Sequence, residues 1–94
     1  MIAYHAMYKT LQDAVHAEVL DFPGVISVGD DLDQARRNLA AALVDMAETN
    51  LVSGESLPTP NPHAADDEAD LVEPIHLVLT AGHRVAVSVE GATA

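Results

Sequence analysis

Residues 21–43 constrain this chain more than any other stretch, because a short extended run there is punctuated on both sides and then gives way to a helical period. Pro23 fixes φ and has no N–H to offer a sheet, so it closes a strand that ends near Leu20. Gly24 lets the chain turn where a side chain would clash. Val25, Ile26, Ser27 and Val28 make a short β-branched run, which Gly29-Asp30 breaks. Asp31 is a good N-cap residue, and Gln34 follows at the spacing of a capping box. From Leu32 the apolar positions Leu32, Ala35, Leu39, Leu43 and Met46 step by threes and fours, which predicts an amphipathic helix over Leu32–Val52. Ser53-Gly54 ends it, with glycine as a left-handed cap. A helix with one apolar stripe, entered straight from a strand, has to lay that stripe on a sheet.

The rest of the chain supplies the sheet. Ile2, Tyr4, Ala6 and Tyr8 alternate with Ala3, His5 and Met7. Both sets are fairly apolar, which predicts a central strand. Residues 9–13 read as a hairpin loop, and Val15, Ala17 and Val19 alternate with His16 and Glu18 as a strand with one wet face. Ile75, Leu77 and Leu79 alternate with His76 and Val78, Ala81-Gly82 gives a turn, and Val85, Val87 and Val89 alternate again as a closing hairpin. Between helix and hairpin, residues 53–73 carry Pro58, Pro60 and Pro62 and then the acidic run Asp66-Asp67-Glu68 with Asp70, which reads as a surface loop. Gly91 to Ala94 reads as a frayed tail. The expected fold is α+β: one domain over residues 1–94, a small antiparallel sheet and one long helix in the order β-β-β-α-β-β.

Several of these residues also carry a resemblance. The Asp-Phe-Pro-Gly turn at residues 21–24, Gly-Asp-Asp-Leu at 29–32, Ala35, Asn38, the Ala42-Leu43 pair, and Pro58 and Pro60 resemble the HicB antitoxin family. The match spans about two thirds of the chain. It implies a partial RNase H-like fold and a function as an antitoxin that neutralises HicA, a small ribonuclease toxin. Many members carry a helix-turn-helix or ribbon-helix-helix domain after the core for operator binding. This chain has a strand pair in that place, so it resembles members without the DNA-binding domain, and direct DNA or RNA binding is not expected.

Charge agrees with a protein partner. The formal net charge is −11, with only four Lys and Arg against 15 Asp and Glu. Phosphate backbones need clustered cations, whereas a basic ribonuclease suits an acidic binder. Chemistry of its own has little support. The first strand has no carboxylate, and two-metal nucleases need acidic ligands converging from several elements. Asp31 is explained as a cap, Asp33 by the positive end of the helix, and Asp21 and Asp30 as turn residues. No histidine pair has helical zinc spacing, and there is no cysteine. His5 reads as a hydrogen-bonded histidine at the edge of the core, and Arg36 and Arg37 as surface partners of Asp33 or Asp45. No metal, cofactor or catalytic residue is expected.

The expected function is therefore an antitoxin that occludes a HicA-like toxin, with Asp30, Asp31, Asp66, Asp67 and Glu68 as partner-binding residues. A solitary HicB-like scaffold without a toxin and a degenerate RNase H-like nuclease are the alternatives. A domain this small with an open sheet face is expected to form a homo-oligomer, a dimer through Val85, Val87 and Val89 or through that face. There is no apolar run long enough to span a bilayer and no signal-peptide pattern in the first residues, so a cytoplasmic location is expected.

Overall fold

The computed structural model describes residues 1–80 and 84–89, with backbone alone for residues 79, 80 and 84–89. Its elements are β1 (Ile2–Thr10), β2 (Val15–Val19), β3 (Ile26–Gly29), α1 (Leu32–Val52), β4 (Leu71–Thr80) and β5 (Arg84–Val89). The strands form one five-stranded sheet in the order β3-β2-β1-β4-β5. Every neighbouring pair is antiparallel, and β1 lies at the centre as its two apolar faces predict. The expected α+β order is the order found. The 81–82 turn and the tail lie outside the described residues, as do the side chains of Val85, Val87 and Val89. The backbone register sets those valines opposite Leu79, Leu77 and Ile75.

One face of the sheet takes the helix. Tyr4, Ala6 and Tyr8 of β1, Val15, Ala17 and Val19 of β2, and Ile75 and Leu77 of β4 are buried there against Ala35, Leu39, Leu43 and Ala47 of α1. The helix has the predicted bounds because both ends are capped by nearby residues. The Asp31 carboxylate accepts the Gln34 N–H at 2.8 Å, and the Gln34 side chain accepts the Asp30 N–H. At the far end the Gly54 N–H reaches Leu51 O and the Glu55 N–H reaches Asn50 O, the paired bonds of a Schellman cap.

Two glycines set how the helix meets the sheet. Gly24 has φ +90° behind Pro23, and Phe22 O accepts the Val25 N–H, which is a type II turn. The turn drives Phe22 into the core, where its ring meets Tyr4 edge-on at 5.3 Å. A Cβ on Gly29 would stand 2.3 Å from the Ala35 backbone nitrogen, so glycine allows β3 to lie directly against the first turns of α1.

The strand after the helix starts earlier than the sequence suggests. β4 begins at Leu71, so the loop is 53–70 rather than 53–73, and Pro74 sits inside a strand flanked on both sides. The register explains this. Pro74 stands opposite His5, whose N–H and C=O are turned toward Asp21 and Leu20. The ring nitrogen of Pro74 therefore faces away from β1, and the described pairing with β5 starts one residue later, at Ile75. Within the described pairing no ladder hydrogen bond is lost.

The loop itself is a strap. α1 runs back from the top of the sheet to the end where β1 begins, yet β4 is antiparallel to β1 and must start at the other end. Residues 53–70 cover that distance across the face opposite the helix. They are tied at the lower end by Tyr4 Oη to Pro58 O (2.7 Å) and by the Asn61 N–H to Asp21 (3.0 Å). At the upper end Lys9 Nζ meets Glu68 and the Thr10 N–H donates to Asp70. Met7, on the face away from the helix, is only 3% exposed because the strap passes over it. The expected open face is thus divided: among the described residues its large exposed apolar side chains are at the flanks, with Ile26 and Val28 on one side and Val72 on the other.

Candidate partner-binding surface

The five acidic residues singled out in the sequence come to one end of the sheet but not to one spot. Asp30 and Asp31 follow β3 at the start of α1, both exposed. Asp66, Asp67 and Glu68 lie on the strap where it reaches β1 and β4. With a strand spacing of about 4.8 Å, the two groups are separated by roughly 10–15 Å. Asp13 in the β1–β2 hairpin and Asp70 before β4 stand at the same end, so together they make an acidic rim rather than a chelating cluster. Among the described residues no three His, Asp or Glu side chains converge as a metal site.

Local hydrogen bonding gives the rim its shape. Asp31 caps the helix, and Asp66 accepts the Glu68 N–H at 2.9 Å in an Asx turn while the Ala69 N–H reaches Asp66 O. Glu68 is bound to Lys9 at 2.7 Å, and this hydrogen bond, helped by its charge, holds the Lys9 ammonium above its usual range. Asp30 and Asp67 are exposed, and no side-chain bond holds either carboxylate.

Two buried polar groups lie elsewhere, and sequence reasoning missed both. Asp21, expected as a turn residue, has a side chain only 2% exposed. It accepts from the His5 N–H (2.8 Å), the His5 ring Nδ1 (2.8 Å) and the Asn61 N–H. Burial alone would raise its carboxyl, but the donors from His5 and Asn61 and its own backbone N–H outweigh burial and hold it below the ordinary range. His5 is the hydrogen-bonded histidine expected of it. Arg36 reaches not along the helix but across to β4: its Nε and Nη2 bind Glu73 at 2.8 and 3.0 Å, and Asp33 stands farther off at 3.7 Å. The Arg36 guanidinium lies 5.9 Å from the Tyr8 ring centroid. The Tyr8 hydroxyl is buried without a hydrogen-bond partner, and burial, then the Glu73 charge, push this phenol well up.

The surface away from the rim is apolar along β3. Ile26 is 54% exposed and Val28 53%. His16 and Glu18, their neighbours on β2, are half-buried with 3.8 Å between ring nitrogen and carboxylate. Asn38 Nδ2 donates to Val28 O at 2.8 Å, tying the helix to the strand edge. Among the described residues no helix is long and apolar enough to cross a membrane. Comparisons with protein-family models, curated proteins and solved structures returned no match for this chain.

Proposed function

We propose that this chain is a HicB-like antitoxin: a binding protein that neutralises a small basic ribonuclease by covering the cationic surface with which that enzyme holds RNA. The observation that carries the reading is the acidic rim. Asp13, Asp30, Asp31, Asp66, Asp67, Glu68 and Asp70 gather at one end of the sheet, and the nearby cations Lys9 and Arg36 are already bound to Glu68 and Glu73. Such a rim attracts Lys and Arg that otherwise meet phosphates, raising the association rate and fixing orientation. The series from Asp21 to Pro60 supports the family. Its pieces do physical work here: the Phe22-Pro23-Gly24 turn seats the core, Gly29 admits the helix, Asn38 ties the edge, and Pro58 holds Tyr4.

The test is co-expression with the small basic protein encoded beside this chain's gene. That protein alone should arrest growth, and this chain should bind it and restore growth. Reversing Asp30 and Asp67, the rim carboxylates that no side chain holds, to Lys should slow association several-fold at low salt and leave the helical circular-dichroism signal unchanged, since steering charges act on the on-rate. A toxin that arrests growth and is neither bound nor relieved by this chain would leave the solitary scaffold in its place.

A further inference from the structure

We infer that the free edge of β3 is the docking strip for an extended strand of the basic partner, which would add to the sheet beside Ile26–Gly29. This rests on the preceding reading for what the partner is, and adds where and how it binds.

β3 is the terminal strand of the sheet and pairs only with β2. The Val19 N–H donates to Val25 O, so the antiparallel alternation turns the backbone groups of Val25, Ser27 and Gly29 toward β2. Those of Ile26 and Val28 are turned outward. Asn38 takes the Val28 carbonyl, which leaves the Ile26 N–H and C=O and the Val28 N–H as a short unpaired ladder. Sheet edges are ordinarily blunted by lysine, proline, a bulge, shortness or a covering helix. This one is only four residues long and gives one carbonyl to α1, but it carries no lysine, proline or bulge, and its Ile26 and Val28 side chains are more than half exposed.

Charge selects the occupant. Glu18 stands opposite Ile26, and Asp30 and Asp31 close the end of the strip. Asp45 lies two helical turns from Asn38 on the same flank of α1, where it lines a shallow groove with Glu48, Thr49, Val52 and Ser53. Lys9 is committed to Glu68 of the strap and Arg36 to Glu73 of β4, Arg37 is exposed on the second turn of α1, and Arg84 begins β5 at the opposite edge. A second copy of this chain would bring the same carboxylates against these. A strand alternating apolar with Lys or Arg residues fits: its amides complete the ladder, its apolar side chains cover Ile26 and Val28, and its cations meet the acidic border.

Two arms test this separately from the antitoxin reading. In the first, the full chain is titrated with a six-residue Arg-Val alternating peptide and with its Glu-Val counterpart. The Ile26 and Val28 amides should shift with the Arg peptide alone. Shifts confined to other residues, or equal shifts with both peptides, overturn the docking strip. Shifts at these amides on raising the concentration of this chain alone assign the edge to a second copy and overturn the choice of occupant. In the second arm, the complex with the neighbouring basic protein should protect the Ile26 and Val28 amides from hydrogen exchange. The double variant Ile26→Lys with Val28→Lys, whose positions are exposed enough to keep the fold, should weaken that complex at least about tenfold, whereas Arg37→Gln should leave it within about twofold. A complex that forms with both amides unprotected overturns the strip and leaves the antitoxin reading intact. Absence of a complex, with edge shifts by the Arg peptide, overturns that reading and with it this partner.

Discussion

At the scale of single residues, the interior depends on a few polar groups whose burial makes them sensitive. Asp21 is the clearest. Its folded carboxyl titrates below the unfolded value of about 4, so its contribution is complete above that pH and is lost as pH falls through the lower folded value. Asp21→Asn should cost roughly 1–3 kcal/mol near neutrality, because one amide cannot replace a carboxylate that accepts from three donors. Urea unfolding followed from neutral pH into acid should show the acid loss of stability flattened in this variant. Tyr8 predicts the opposite sign. With its hydroxyl buried and unpartnered, Tyr8→Phe should be neutral or stabilise by up to about 1 kcal/mol. A thermal midpoint that falls by several degrees would reveal a hydrogen bond to the Arg36–Glu73 pair.

At the scale of elements, α1 is joined to β4 by that ion pair as well as by apolar packing. Arg36 and Glu73 side chains are 16% and 10% exposed, so removing one partner strands a largely buried charge. Arg36→Met alone should cost about 3 kcal/mol, and Arg36→Met with Glu73→Leu should recover most of it, read from chemical denaturation as a double-mutant cycle. The pair also shows why some elements were legible in the sequence and others were not. β1, β2 and α1 follow from signals within a few residues: alternation, Asp31 with Gln34, and Ser53-Gly54. The start of β4 depends on which way Pro74 faces in a register set by β1, far away in sequence. The helix-surface pairing rule looks three or four residues along the chain, so it finds Asp33 and misses Glu73. Asp21 reads as a turn residue because its donors, His5 and Asn61, lie 16 and 40 residues away. The acidic residues were legible as two groups, at the helix entrance and in the loop, but their arrival at one end of the sheet depends on the strand order and was not.

At the scale of the whole molecule, the strap decides which surfaces remain for assembly. The proposed homodimer is left with β5 or the uncovered flank around Val72, because the strap crosses the middle of the face and carboxylates border the β3 flank. Sedimentation at micromolar concentration should give twice the 9.9 kDa chain mass, and a single species at the chain mass would remove the dimer. The strap also bears on how the chain is made. Residues 1–52 contain three strands and the helix, all joined by short connections, and can assemble as they leave the ribosome. β1 cannot yet be completed, because its second neighbour is β4, and Ile2 pairs with Leu77. Until the strap has emerged and swung across, the central strand of the finished sheet is an edge, with Tyr4 and Tyr8 only half enclosed. Late closure over a long separation is slow relative to local pairing. The nascent protein therefore passes through a stage in which its central strand is open to any passing chain, and synthesis rather than unfolding is when it is most prone to aggregate.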